Sequence, residues 1–247
     1  MGYIFSSRVR YSEIGADKKL TLPGVLDYFQ DCCTFQSESI GQGMGPLEAR
    51  HRAWVLSAWQ VEVKRYPSLG EEIQTETMPY EFRAFFGMRN FLMRTKEGEL
   101  LAYANSCWVN VNSETGKPEK LTQEDMEGYV VEKKLEMDYA SRKIALPEKM
   151  DELLPFTIQS HHLDTHHHVN NCQYVRMAID CLPEDFGVIG KLRVEYKKQA
   201  LLGDVFYPSI GRMQDKTYIA FFPDKPQENL RKEEPYAIVE VGKAHNC

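Results

Sequence analysis

One stretch of the sequence concentrates side chains that can move protons. Residues 161–171 read HHLDTHHHVNN, so five of the seven histidines lie within eight residues. Acyl transfer to water needs a group that activates the water, a proton donor for the leaving group and donors for the developing oxyanion. Asp164 and His168 flank the turn and can supply a carboxylate–imidazole pair. An apolar helical face follows, capped by Asn170 or Asn171, and a helix start offers free N–H groups to an oxyanion.

Two other interpretations of this stretch remain open. Clustered histidine and aspartate side chains are good metal ligands. However, the run lacks the i, i+4 spacing of a zinc-binding helix, and the sequence contains no compact second cluster of ligands. We therefore predict no metal and no cofactor. The other alternative is a solvated polar loop whose histidines have no chemical role.

The elements that must position this stretch occur twice along the chain. Residues 21–38 have the apolar spacing of a helix, and so do residues 170–182. Strand-like alternation follows each helix. Residues 62–73 also align without gaps on residues 195–206. The repeated order of strand, helix and several strands predicts two like units, each an antiparallel sheet wrapped around one helix.

The repeat predicts the domain organisation of an α+β chain. We expect a first unit at residues 1–125 and a second unit, which carries the chemistry, at residues 151–247. The charged stretch 126–150 is predicted to connect them, with a short helix near residues 132–139.

Composition excludes several classes of function. The formal net charge is −6, which argues against nucleic acid or an anionic membrane as the main partner. No stretch approaches the roughly 18 apolar residues of a membrane span, so membrane insertion is not expected. The start of the sequence has no apolar segment typical of a signal peptide, and the six cysteines form no C-x-x-C pair. These features predict a cytoplasmic protein with reduced thiols.

The stretch from Leu163 to Asn171, followed by a tyrosine-containing helix, resembles the LD-x-N-x-HVNN signature of plant and bacterial acyl-ACP thioesterases. The resemblance extends to residues 28–31 (YFQD), 195–198 (EYKK) and 203–204 (GD), and covers most of the chain. It implies a tandem, or double, hotdog fold, in which each sheet cradles a long helix. It also implies hydrolysis of fatty acyl-ACP to free fatty acid, which terminates chain elongation.

The catalytic residues of that family carry over unevenly. Its Asp and His fall on Asp164 and His168, whereas its Asn falls on His166 and its catalytic Glu on Gln199. Ala200 stands where plant members have a cysteine, so a cysteine nucleophile is excluded there. We predict that Asp164 activates water or attacks the carbonyl and that His168 protonates the thiolate. His166 would polarise the carbonyl, and Gln199 would position water, because an amide cannot act as a base.

The resemblance also implies where substrate and partner bind. The first unit of the family houses the acyl chain, and Phe29 and Trp54 are candidate lining residues. Asn170 and Asn171 are candidates for binding the substrate near the helix start. The expected partners are acyl carrier protein and its fatty acyl thioester. Because the repeat supplies internally the pairing of two single hotdog units, a monomer suffices, and a homodimer is the alternative.

Two other functions remain open at this point. An acyl-CoA thioesterase would use the same chemistry on a different carrier. An acyl-binding protein with weakened catalysis would explain Gln199 in place of a glutamate.

Overall fold

A computed structural model describes residues 2–225 and 234–244 of the chain. The chain divides into two units, Met1–Ala140 and Ser141–Cys247. The division falls inside the stretch 126–150 that was expected to connect the units. Among the described residues, no helix combines the length and hydropathy needed to cross a membrane.

The described part of the first unit contains one long helix, two short helices and five strands. In chain order the elements are β1 (Tyr3–Arg8), α1 (Leu22–Ser39), α2 (Met44–Ala49), β2 (Arg52–Val63), β3 (Glu72–Arg83), β4 (Phe86–Thr95), β5 (Leu100–Asn112) and α3 (Gln123–Met126). The strands pair antiparallel in the order β1-β3-β4-β5-β2. The predicted order of strand, helix and several strands is therefore confirmed for this unit.

Helix α1 begins and packs as its sequence predicts. The Thr21 side chain caps it by accepting a hydrogen bond from the Gly24 N–H at 3.2 Å. The apolar face of the helix is buried, and Phe29 at its centre has no exposed surface. The Phe29 ring lies 6.2 Å from Trp59 on β2 and 5.2 Å from Phe91 on β4, measured between centroids. Burial of these rings holds the helix against the sheet.

The second unit repeats this design with shorter elements. They are β6 (Asp151–Glu152), β7 (Phe156–Thr157), α4 (Asn171–Asp180), β8 (Ile189–Tyr196), β9 (Val205–Met213), β10 (Lys216–Phe222) and β11 (Ala237–Lys243). The order of antiparallel strands is β8-β11-β10-β9-β6, and β7 also pairs with β9. The aligned stretches form the same junction in both units, with a turn at Gly70 (φ 80°) and at Gly203 (φ 87°). Glycine suits both turns because it adopts positive φ without a steric cost.

The prediction of a helix near residues 132–139 is wrong. This stretch has no helical hydrogen bonds and runs along the first unit's sheet. The buried Asn90 of β4 accepts hydrogen bonds from the Leu135 N–H at 3.1 Å and the Tyr139 hydroxyl at 3.0 Å. Gln60 of β2 contacts the same stretch, donating from its Nε2 to the Asp138 carbonyl at 2.6 Å. These tertiary hydrogen bonds outweigh a weak helical propensity.

Candidate active site

The histidine-rich stretch forms a closed turn directly before α4. A one-pair bridge between Leu163 and Val169 closes its base. Inside it, the Asp164 N–H donates to the His168 carbonyl at 2.8 Å, and the His167 N–H donates to the Asp164 carbonyl at 3.1 Å. His167 has a φ of 62°, a conformation that is unfavourable for most residues and allows the chain to reverse here. The turn therefore has one defined shape, which is what a catalytic loop requires.

The Asp164 carboxylate organises this turn from within. Its Oδ1 accepts hydrogen bonds from the His166 N–H at 2.8 Å and from the His168 N–H at 3.2 Å. Asp164 and His168 are half-buried, and His166 is exposed. The structure thus brings the three predicted residues together. In residues 2–225 and 234–244, however, the hydrogen bonds between Asp164 and the two histidines run through main-chain N–H groups and not through the imidazoles.

The start of α4 leaves one main-chain N–H without an acceptor among the described residues. The Asn170 Oδ1 caps the helix by accepting from the Cys172 N–H at 2.8 Å. The Asn171 carbonyl accepts from the Tyr196 hydroxyl at 2.9 Å. No described residue accepts a hydrogen bond from the Asn171 N–H, which lies at the positive end of the helix dipole. This amide can therefore stabilise a developing negative charge.

Replacing Asn170 with alanine should destabilise the protein by about 1 kcal/mol, because the Cys172 N–H would lose its cap. Urea denaturation followed by circular dichroism would measure this loss. The Asn170→Asp variant is the matched control, since it keeps the capping oxygen and should unfold close to the wild-type midpoint. An alanine variant as stable as wild type would show that the cap contributes nothing.

Gln199 belongs to a segment that is tied to the same turn. It is exposed and lies just beyond the end of β8. Its neighbour Ala200 is fully buried, and the Ala200 carbonyl accepts from the Val169 N–H at 2.9 Å. The main chain therefore holds Gln199 next to the turn, although no described residue hydrogen-bonds its side chain.

The part of the chain that the structure describes contains no group of three or more His, Cys, Asp or Glu side chains placed to hold a metal ion. His161 and His162 lie close, with ring centroids 4.1 Å apart. The His162 Nδ1 accepts from the Gln159 N–H at 3.0 Å, so this nitrogen is used within the chain. Burial lowers the pKa of His162, and the nearby His161 lowers it further.

Models of known protein families were compared with the sequence to find the family to which the chain belongs. The model of the acyl-ACP thioesterase N-terminal domain matches residues 3–129, and that of the C-terminal domain matches residues 146–221. The chain belongs to the acyl-ACP thioesterase family. Among similar family members are a chloroplastic acyl-(acyl-carrier-protein) hydrolase of Cuphea viscosissima and a palmitoyl-acyl carrier protein thioesterase of Arabidopsis thaliana. Each is 26% identical to this chain in an aligned region that covers 77% of it. The same region covers 50% of each relative, so the chain spans about half the length of these relatives.

Solved structures of acyl-ACP thioesterases share the fold over nearly the full length of the chain. An acyl-ACP thioesterase from Bacteroides thetaiotaomicron has a TM-score of 0.82 at 19% identity, covering 97% of this chain and 96% of that one. The 12:0-ACP thioesterase from Umbellularia californica has a TM-score of 0.77 at 20% identity, covering 98% and 97%. The predicted α+β fold with tandem hotdog units is therefore confirmed.

The turn before α4 has a counterpart in the first unit, directly before α1. A bridge between Ile14 and Leu20 matches the one between Leu163 and Val169, and Lys18 has the same φ of 62° as His167. The Gly15 N–H donates to the Lys19 carbonyl at 2.9 Å, as the Asp164 N–H donates to that of His168. The correspondence places Gly15 where the second unit has Asp164 and Lys19 where it has His168. The same backbone thus exists without a carboxylate or an imidazole at those two positions, although Asp17 of this turn accepts a hydrogen bond from the Lys19 N–H at 3.1 Å.

Two predicted substrate-binding residues, Phe29 and Trp54, lie in the first unit and not at this turn. Phe29 is part of the buried core described above. Trp54 on β2 is half-buried and lies 6.3 Å from Phe82, measured between ring centroids. Of the two side chains, only that of Trp54 has exposed surface that a ligand can contact.

Sequence reasoning missed a group of aromatic side chains behind the turn. Tyr174 of α4 stacks on Phe206 with ring centroids 5.6 Å apart and meets Tyr196 edge-on at 5.7 Å. Burial raises the pKa of Tyr174 and of Tyr196, so both hydroxyls remain protonated donors. In the sequence Tyr174 is one more large residue on an apolar helical face, and spacing alone does not distinguish its hydroxyl from core packing.

Proposed function

We propose that the chain hydrolyses the thioester of fatty acyl-ACP, releasing a free fatty acid and the thiol of the carrier. The observation that carries the proposal is the turn in which Asp164 is held beside His168, directly before the Asn171 N–H of α4, which has no acceptor among the described residues. The family and the names of the relatives, which are acyl-ACP hydrolases or thioesterases, support the same substrate class.

The arrangement supports a mechanism that uses side chains, one main-chain N–H and a water molecule. Asp164 activates a water molecule or attacks the thioester carbonyl, and the Asn171 N–H stabilises the resulting oxyanion. His168 donates a proton to the departing thiolate. His166, which is exposed on the same turn, polarises the carbonyl, and Gln199 positions the water as a hydrogen-bonding amide. One water is consumed: its hydroxyl group becomes part of the fatty acid's carboxyl group, and its other hydrogen is balanced by the proton on the thiol.

Other parts of the proposal concern the acyl chain, partners and location. We assign acyl-chain binding to the first unit, with Trp54 as a contact and Phe29 as the core residue that supports the helix. Asn170 acts by capping α4, and Asn171 by its amide. The carrier is acyl carrier protein, and the chain acts as a monomer or homodimer. We place the chain in the cytoplasm, whereas the named plant relatives are chloroplastic.

The test is fatty-acid release from a panel of acyl-ACPs and the matching acyl-CoAs. Faster release from acyl-ACP at equal chain length would support the proposal. Preferential release from acyl-CoA would favour the acyl-CoA thioesterase instead. Gln199 favours one further candidate, an acyl-binding protein with weakened catalysis. Tight acyl binding without release from either carrier would establish that function and reject hydrolysis.

A further inference from the structure

The side chain of Tyr196 joins the end of β8 to the start of α4. Tyr196 is the last residue of β8, and its hydroxyl donates to the Asn171 carbonyl at 2.9 Å. Asn171 is the first residue of α4. In an α-helix this carbonyl also accepts from the N–H four residues on, so it has a partner without the tyrosine. The hydroxyl therefore adds a second hydrogen bond, which the carbonyl can accept because it has two lone pairs.

A main-chain hydrogen bond joins the same two segments close by. The Val169 N–H donates to the Ala200 carbonyl at 2.9 Å. This contact precedes Asn170 in the chain, and the contact from Tyr196 to Asn171 follows it. The start of α4 is thus tied to the segment after β8 at two points, one on each side of the capping residue.

These contacts fix the direction of the Asn171 N–H, which is the proposed donor to the oxyanion. The peptide group of this N–H includes the Asn170 carbonyl, which accepts from the Gln173 N–H at 2.9 Å. On one side of that group the Asn170 N–H donates to the His162 carbonyl at 2.9 Å, and on the other side Tyr196 holds the Asn171 carbonyl. An oxyanion donor must lie about 2.7–3.1 Å from the charged oxygen, so small shifts weaken it. The contact from Tyr196 comes from a side chain, and a substitution can remove it while the main-chain contacts remain.

The first unit has the main-chain contact without the hydroxyl. The Leu20 N–H donates to the Pro67 carbonyl at 2.8 Å, which matches the contact from Val169 to Ala200. Val63, the last residue of β2, stands where the second unit has the tyrosine, and it is 6% exposed. Because valine has no donor, the fold forms this junction without a side-chain hydrogen bond. The hydroxyl is present in the unit that carries the proposed catalytic turn.

We propose that Tyr196 is a positioning residue, whose hydroxyl holds the first residue of α4 so that the Asn171 N–H points at the oxyanion formed from the thioester carbonyl. This inference rests on the proposed hydrolysis. The hydroxyl is hydrogen-bonded to the main chain, so we expect it to act on the reaction and not on binding of the acyl chain. Its removal should therefore lower kcat and leave KM nearly unchanged.

The Tyr196→Phe variant of the full chain tests this inference with acyl-ACP as substrate. We expect kcat to fall about tenfold, which is less than the roughly 100-fold or larger loss caused by removing an oxyanion donor itself. KM should change by less than about twofold. The rates are compared at a temperature at which circular dichroism shows both proteins to be folded. An unchanged kcat would overturn the inference, and so would a loss that appears mainly as a higher KM.

Hydrogen exchange tests the positioning independently of activity. The main-chain amides at the start of α4 should exchange faster in Tyr196→Phe than in wild type, because the first turn of the helix loses one of its anchors. Mass spectrometry of peptides that cover residues 169–176 would measure this difference. Equal exchange rates in the two proteins would overturn the inference, whatever the effect on kcat.

Tyr80→Phe is the matched control for both measurements. Tyr80 of β3 is half-buried like Tyr196, and its hydroxyl also donates to a carbonyl oxygen at 2.9 Å, that of the Asn105 side chain on β5. This variant should keep the wild-type kcat and the wild-type exchange at α4, and a loss of kcat equal to that of Tyr196→Phe would overturn the inference. Failure of the proposed function looks different, since wild type itself would then release no fatty acid. Wild-type release that is insensitive to Tyr196→Phe would reject only the role of the tyrosine.

Discussion

The Asp164→Asn variant should lose at least about two orders of magnitude in kcat while remaining folded. Asparagine keeps an oxygen that can accept the His166 and His168 N–H groups, so the turn retains its hydrogen bonds. What it loses is the negative charge, and with it the ability to activate water or attack the carbonyl. Steady-state release of fatty acid from acyl-ACP, measured with thermal unfolding, would separate the two effects.

The comparison with Asp164→Ala sharpens this experiment. Alanine removes both the charge and the acceptor, so this variant should lose activity and also unfold at a lower temperature. A near-normal rate for Asp164→Asn would show that the carboxylate shapes the turn without taking part in the chemistry. The two variants thus show whether Asp164 takes part in the reaction, stabilises the turn, or does both.

The second large effect is expected for His168→Ala, whose kcat should fall by about two orders of magnitude or more. Its imidazole is the proposed donor of the proton that the leaving thiolate needs. The main-chain groups of His168 make the hydrogen bonds within the turn, and alanine retains them. The loss should therefore appear in kcat with little change in unfolding temperature, as measured by the same release assay.

His167→Asn provides the control for the histidine experiment. His167 is exposed and has positive φ, which asparagine also adopts readily. This variant should keep the wild-type rate, although it removes an imidazole from the adjacent position. Equal losses in His167→Asn and His168→Ala would mean that the turn needs its histidines collectively and that His168 is not the specific proton donor.

The regular elements were predictable because their signals are local. The apolar spacing of residues 21–38 and the cap at Thr21 gave a helix that the structure places at Leu22–Ser39. The repeat likewise located the second helix and its sheet. The segment near residues 132–139 was not predictable, because its conformation depends on Asn90 and Gln60, which are distant in sequence. Spacing within a segment carries no information about such partners.

The site was predictable in its residue types and not in its geometry. The sequence placed Asp164, His166 and His168 around one turn before a helix, and they lie there. It did not show that Asp164 binds the main chain of that turn through one oxygen. Nor did it reveal that Tyr174 is almost fully buried, since an oxygen on an apolar helical face becomes notable only when its burial is known.

The two matching turns have a consequence for how this protein could have diversified. If the two units arose by duplication, only the second copy had to have a carboxylate at the position of Asp164, and the first could accept Gly15 there and Lys19 at the position of His168. The retained backbone bridge shows what each copy needs merely to fold. The turn of the first unit therefore indicates which main-chain contacts the fold requires. The features that only the second turn has are then those that the fold itself does not require.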